Sequence, residues 1–280
     1  MKKIQTIEDF RKVLEWSSEY LPVKHLRHLP SYHQFINLLN GLDTVFPNDK
    51  LNWLATDDPN NPEFMSDRQQ RLKEFFPKKT LPRSFTVINS GSENFLQVNN
   101  VVTCLNSGEL VGYEVFFLLP LSAKCKITIL INLIGESLDP YFIQWMPPAE
   151  QLIISHQIYD AWKNRDFDKQ AGYLPPTMQF ISTFPHLELP MLKRIENKIE
   201  LGIGIPDAIG WINYWSPETC ELLSFPDPAT DGYLIRLSHR TPSGAWMVKL
   251  TEDMFDVTRP DHIEALKWAY QRFYQIGARV

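Results

Sequence analysis

The stretch Gly210–Trp211–Ile212–Asn213–Tyr214–Trp215–Ser216 constrains the fold more than any other part of the chain. Its aromatic and β-branched content favours a strand. Alternation then puts Trp211, Asn213 and Trp215 on one face and Ile212 and Tyr214 on the other. Ser216–Pro217–Glu218 follows as a helix N-cap, a proline at the first helical position and an acid in the first turn. That helix runs through Leu222–Leu223 and stops at Ser224–Phe225–Pro226–Asp227–Pro228, where two prolines bar its continuation. Two strand-like runs come next, Gly232–Leu237 and Ala245–Leu250, separated by the turn-rich Thr241–Pro242–Ser243–Gly244. Thr258 and Asp261 then form a capping pair around Pro260. They open a helix with Ile263, Leu266, Tyr270 and Phe273 on one face, closed by Gly277. The predicted order is β-α-β-β-α. Ordering that last helix costs more than burying its four apolar side chains returns, so it needs a partner. The sheet carrying Trp211, Trp246, Val248 and Leu250 is the expected one.

Upstream, Thr6 caps a helix predicted to reach about Tyr20, and Ser31 caps a second with Phe35, Ile36, Leu38 and Leu39 inward. The run Thr56–Asp57–Asp58–Pro59–Asn60–Asn61–Pro62 is a surface loop by its turn chemistry, and a third helix is expected over Glu63–Phe76. Phe85–Ile88, Phe95–Leu105, Glu109–Leu119 and Lys126–Leu133 read as strands. Their short separations favour an antiparallel meander. Glu150–Arg165 reads as a further helix with Leu152, Ile158, Tyr159 and Trp162 at apolar spacing. Prolines break up residues 166–205, where Ile195–Ile205 is a candidate strand. The expected class is α+β, mainly antiparallel sheets with helices packed on one face. The expected organisation is one domain over residues 1–280, with two lobes, about 1–145 and 146–280, as the alternative.

Composition bounds the function. Of 280 residues 44% are hydrophobic and 22% charged, as in ordinary soluble globular chains. Acids outnumber bases 33 to 28, a net charge of −5, without the basic stripe that gripping nucleic-acid phosphates requires. The densest basic stretch, Lys78–Lys79 with Arg83, reads as a solvated loop. Cys104, Cys125 and Cys220 lie too far apart for a C-x-x-C motif or a secreted disulfide framework, which fits a reducing compartment. Acids and bases from Glu8 to Lys12 replace the apolar core of a signal peptide. The longest apolar run, Leu110–Leu121, contains Glu114 and is too short to span a bilayer. A cytoplasmic location and no membrane partner are expected.

Catalytic chemistry finds little support. No G-x-S-x-G elbow occurs, and Cys125, in an apolar strand-like run, reads as a buried structural thiol. His25, His28 and His33 fall close together, but without the i, i+4 spacing of a zinc-binding helix or an accompanying cysteine or paired acid. Surface histidines are the better reading, and no metal or cofactor is expected. Gly202-x-Gly204 lacks the third glycine and following helix of a dinucleotide loop. Asp57–Asp58 and Glu252–Asp253 lack an apolar wall to raise one pKa, and read as solvated acids. Asn213, the polar group in a core-like strand, is expected to hydrogen-bond internally. No catalytic residue is assigned.

The C-terminal quarter carries a family resemblance. Gly210–Trp211-x-Asn213–Tyr214-x-Ser216 is followed by Phe225–Pro226–Asp227 and by Gly244-x-Trp246-x-Val248-x-Leu250–Thr251. Pro260-x-His262, Ala269–Tyr270-x-Arg272–Phe273 and Ile276–Gly277 complete the order. Together these resemble the immunity protein 52 family of bacterial polymorphic toxin systems. Leu51–Trp53–Leu54 fits more loosely, and Met254–Phe255–Asp256 stands where the family pattern has a Pro–Leu–Asp-like segment. The resemblance implies a non-enzymatic protein that binds and neutralises a cognate secreted toxin. That toxin would be a nuclease of restriction-endonuclease-like fold, delivered by a type VI secretion system. The matching residues, Gly210, Trp211, Asn213, Tyr214, Ser216, Trp246, Tyr270 and Phe273, read as structural. Candidate toxin-facing acids are Asp57, Asp58, Asp227, Asp231, Glu252 and Asp253, all in predicted loops. Two other readings stand beside this one. One is a small-molecule hydrolase or transferase built on the N-terminal histidines, the other an adaptor of a secretion apparatus. A monomer and a homodimer are both compatible.

Overall fold

The computed structural model describes residues 4–14, 19–23, 26–28, 30–55, 63–74, 76, 85–89, 97–104, 110–119, 121–158, 176–193 and 204–279. They fall into two compact units. Residues 18–143 with 241–245 form the N-terminal unit, and residues 1–17, 144–240 and 246–280 form the C-terminal unit.

The first helix, α1 (Ile7–Leu14), belongs to the C-terminal unit. The Thr6 hydroxyl accepts from the Asp9 N–H at 3.1 Å while the Asp9 carboxylate accepts from the Thr6 N–H at 3.2 Å. This reciprocal cap satisfies two backbone donors at the helix start. The helix does not extend to Tyr20 as expected, because Glu19–Val23 is already a strand, β1.

In the N-terminal unit α2 (Tyr32–Val45) starts at Ser31 with the full capping box, Gln34 reaching back to the cap. The predicted inward residues Phe35, Ile36, Leu38 and Leu39 are all buried. Then follow β2 (Trp53–Ala55), β3 (Glu63–Phe64), α3 (Arg68–Lys73), β4 (Phe85–Ile88), β5 (Gln97–Cys104) and β6 (Leu110–Leu119). The helix expected over Glu63–Phe76 is thus a short strand and a shorter helix. The sheet order is β1-β6-β5-β4-β2-β3, antiparallel throughout, with the predicted β4-β5-β6 meander at its centre. Along β6 the alternate residues Val115, Phe117 and Leu119 are fully buried, and Phe117 stands opposite Val98 of β5 and Leu21 of β1, both also fully buried. Phe35 of α2 meets Phe85 of β4 edge-on at 5.4 Å, which sets the helix against the sheet.

A 3-10 helix, Leu121–Lys126, leads into α4 (Ile127–Leu138). The strand expected at Lys126–Leu133 is therefore a helix. Its buried residues Ile127, Leu130, Ile131, Ile134 and Leu138 recur at helical spacing, and that period outranks the β-branched composition.

The C-terminal unit holds α5 (Pro148–Ile158), α6 (Pro176–Ser182), a two-residue strand β8 (Leu192–Lys193) and the segment the motifs pointed to. The predicted helix Glu150–Arg165 is described as far as Ile158. Tyr159, Trp162 and nearly all of the candidate strand Ile195–Ile205 lie outside the described residues. Next come β9 (Ile212–Trp215), α7 (Pro217–Leu223), α8 (Gly232–Leu237), β10 (His239–Arg240), β11 (Trp246–Lys249), α9 (Pro260–Arg272) and β12 (Ala278–Arg279). With β7 (Phe142–Trp145) the main sheet has the order β10-β11-β9-β7, and β12 pairs with β8. Strands β10, β11 and β9 are antiparallel, with Trp246 opposite Trp215 and Val248 opposite Asn213.

The predicted β-α-β-β-α order holds with one substitution. Gly232–Leu237 is helical, and His239–Arg240 is the strand that pairs with β11. A short apolar run carries no period long enough to separate helix from strand. The cap of α9 also differs: Arg259 is its N-cap, and Thr258 bonds back to Asp256 instead. The helix ends at Phe273, four residues before Gly277, whose N–H goes to the Pro206 carbonyl at 3.1 Å. Phe273 packs edge-on to Trp215 at 5.1 Å, and Trp215 to Phe225 at 5.3 Å, so the last helix locks onto the tryptophan strand. The fold is α+β, with antiparallel sheets carrying helices, as expected.

Candidate functional site

The motif residues Gly210, Trp211, Asn213, Tyr214, Ser216, Tyr270 and Phe273 are all buried, with Trp246 half-buried. Asn213 accepts from the Gly210 N–H at 2.8 Å and donates to the Gly210 carbonyl at 3.0 Å and to the Val248 carbonyl at 3.4 Å. It closes a side-chain turn and ties β9 to β11, the internal satisfaction expected of it. A Cβ on Gly210 would come within 2.7 Å of the Trp145 backbone nitrogen and 2.6 Å of its carbonyl oxygen, so only glycine fits. Ser216 caps α7, accepting from Thr219 at 3.2 Å. The Trp211 indole donates to the Thr251 carbonyl at 3.1 Å, and the Tyr270 hydroxyl accepts from the Ile209 N–H at 3.3 Å. Each group is consumed inside the fold, leaving contact with another molecule to other residues.

The candidate acids separate into three groups. Asp57 and Asp58 lie outside the described residues. Asp231 is fully buried, which corrects its reading as a rim acid: Arg272 holds its carboxylate at 2.7 Å and 3.1 Å, and it accepts from the Asp227 N–H at 2.8 Å. Asp227 is half-buried and turned onto its own loop, accepting from Ala229 and Thr230. Glu252 and Asp253 are exposed.

Asp253 begins a line of alternating charge that the sequence reading missed. Arg259 bridges Asp253 at 2.8 Å and Asp261 at 2.6 Å. Three residues along α9 from Asp261, Glu264 meets Lys267 at 3.0 Å, and Lys267 meets Glu188 at 3.4 Å. The signal was present in the spacing: Asp261, Glu264, Lys267 and Gln271 recur at three and four residues, opposite the apolar stripe. At the Lys267 end lies a cleft of about 410 Å³ between α9 and the segment Glu188–Pro190, with Gln271 and Tyr274 on its helical side. Tyr274 is 68% exposed.

A second charged cluster forms around the buried Glu150. The Arg11 guanidinium of α1 holds Glu150 of α5 at 2.9 Å through Nε, and Asp256 at 2.7 Å through Nη2. Burial raises the Glu150 pKa, with Arg11 offsetting only part of it. At Asp256 burial pushes the same way, but hydrogen bonds from Thr258 and the Arg11 charge outweigh it and hold the pKa low. His262 Nδ1 accepts from the Asp256 N–H at 3.0 Å, and burial chiefly lowers its pKa. Phe10 of α1, also buried, stacks on Phe180 at 5.0 Å. These contacts fasten α1 to its unit.

His28 and His33 are exposed, and His25 lies outside the described residues. Among the described residues no group of three or more histidines, cysteines and acids is placed to hold a metal ion. Cys125 is exposed on the 3-10 helix, correcting its reading as a buried strand thiol. Cys220 is buried, its thiol donating to the Trp215 carbonyl at 3.6 Å and pushed up to about 12 by burial. Among the described residues no helix is long and apolar enough to cross a membrane.

A family model described as a domain of unknown function, DUF5953, matches residues 32–280. The chain belongs to the DUF5953 family. The family shown is thus DUF5953, and not the immunity protein 52 family that the C-terminal motifs resemble. The DUF5953 match takes in both the aromatic core around Trp215 and the α9 cleft, while α1 lies before it. No curated protein matches the sequence. Among solved structures the fold is similar to that of the Pseudomonas aeruginosa T6SS protein PA0821. Identity is 11%, with 92% of this chain and 72% of that one covered and a TM-score of 0.50. At that identity the likeness is one of fold.

Proposed function

We propose that this DUF5953 protein is an immunity-type inhibitor, which binds a cognate secreted toxin and neutralises it by covering its working surface. The observation that carries the reading is the division of labour in the C-terminal unit. The aromatic motif is spent on the core, while Glu252, Asp253, Asp261, Glu264 and Glu188 stand out on one unit. Two further facts support it: the motif order resembles immunity protein 52, and the fold is like that of a T6SS protein. The toxin we propose is a nuclease of restriction-endonuclease-like fold, acting where the inhibitor resides, in the cytoplasm. A nuclease cleft is basic in order to hold phosphates. An acidic face complements it and speeds the encounter more than it tightens the complex. Protection calls for a dissociation constant of about 1 nM or tighter, roughly −12 kcal/mol, so a desolvated anchor has to accompany the rim charges.

The test is co-expression of the chain with the product of the adjacent gene, followed by affinity purification and a growth assay. The expected result is a stoichiometric complex and restored growth. A toxic neighbour that is neither bound nor neutralised sinks the reading.

A further inference from the structure

The chain has three described positions other than glycine with positive φ: Asp139 at 50°, Ser224 at 51° and Glu188 at 54°. Asp139 and Ser224 are helix C-caps, where a left-handed residue is the ordinary way to end a helix. Glu188 ends no helix. It stands in an irregular segment, its N–H turned back onto His186 Nδ1 at 3.0 Å, and a glutamate in this region is strained. The strained residue forms one wall of the α9 cleft.

The cleft is furnished for one kind of guest. Its carboxylate wall is Glu188, whose side chain is 79% exposed. Lys267 bridges two carboxylates, Glu264 at 3.0 Å and Glu188 at 3.4 Å, and its single charge leaves one negative charge of that trio uncompensated. The same cleft is lined by the exposed Tyr274, the apolar Leu189 and Pro190, and Gln271. A flat cation with several N–H donors uses all of these at once. Such a group can stack on a tyrosine ring, fork onto a carboxylate and lay its alkyl stem along apolar side chains such as Leu189 and Pro190. Lysine, a compact point charge, uses only the carboxylate.

We propose that this cleft is the receptor for an arginine side chain of a protein partner. The partner's identity as a toxin rests on the inhibitor reading; the chemistry of the cleft does not. A basic nuclease surface is rich in such side chains, and a buried arginine seated on tyrosine is the kind of anchor that acidic rim contacts lack.

The test titrates the full-length, isotope-labelled chain with N-acetyl-arginine methylamide, its neutral isostere N-acetyl-citrulline methylamide and N-acetyl-lysine methylamide, read by NMR shifts. The arginine probe is expected to shift Leu189, Gln271 and Tyr274 and to bind at least about fivefold better than the other two. Glu188→Gln and Tyr274→Ala are each expected to weaken it by about fivefold or more, with unchanged spectra elsewhere. Glu188→Gly is expected to raise the melting temperature by relieving the backbone while abolishing probe binding. Equal binding of the citrulline probe, or a Glu188→Gly chain that binds as the parent does, overturns the proposal. In the complex with the toxin, Glu188→Gln is expected to speed dissociation. If the toxin complex forms and neither variant alters it, the cleft is wrong and the inhibitor stands. If the probe binds but no toxin complex exists, the reverse holds.

Discussion

At the scale of single residues, the fold depends on polar groups that are buried because they are satisfied. Asn213 is 1% exposed and serves three backbone groups. Asn213→Ala leaves the Gly210 N–H and carbonyl buried without partners, and is expected to cost about 2–4 kcal/mol in chemical denaturation. Asn213→Asp should do no better, since a carboxylate cannot donate to the Gly210 and Val248 carbonyls. His262 gives a pH signature. Its imidazole is neutral in the fold, accepting from Asp256, and burial depresses its pKa below the ordinary 6.5. The unfolded chain therefore takes up the proton first as pH falls. Stability from this residue is complete above about 6.5 and is lost between there and the lower folded-state value. Denaturation midpoints measured from pH 8 to 5 should fall in this window, and His262→Asn, which keeps an acceptor but cannot titrate, should flatten that part of the curve.

At the scale of elements, α1 shows how a short amphipathic helix is retained. Eight residues are too few to stand alone, and Phe10 is its one fully buried side chain. Arg11 supplies the rest by neutralising Glu150, which is 2% exposed, together with Asp256. Arg11→Ala is expected to cost about 2–4 kcal/mol, because it strands a buried carboxylate, and to speed amide exchange in α1 ahead of global unfolding. Combining it with Glu150→Leu should recover much of the loss, since the buried charge is then gone. Full stability in Arg11→Ala would show that Phe10 alone holds the helix. The elements also show where local signals suffice. Ser31 with Gln34, Thr6 with Asp9 and Ser216 with Thr219 are caps formed within three residues, and all three were legible. Lys126–Leu133 reads as a strand by its branched composition, but its apolar residues recur at helical spacing and the segment folds as α4. Gly232–Leu237 carried too short a pattern to be decided locally.

At the scale of the whole molecule, the acidic balance is a statement about encounter with partners. Reversing Glu252 and Asp253 to lysine moves the net charge from −5 to −1. With the cognate toxin, stopped-flow association is expected to slow by about tenfold at low ionic strength, the difference closing as salt is added. Rates that do not change remove these two acids from the approach surface.

The sequence alone determined the parts set by period and by neighbouring residues: the α+β class, the caps at Thr6, Ser31 and Ser216, the meander, the tryptophan strand and the helix that covers it. Only the tertiary structure decided what depends on residues far apart in the chain. Asp231 reads as a loop acid until Arg272, forty-one positions on, is seen to bury it. Glu188 and Tyr274 share a cleft that no local pattern announces. The reason is physical. Hydrogen bonds and side-chain periods act over a few residues and leave their mark in order along the chain, whereas burial and pairing of charge are settled by which distant segments come to lie together.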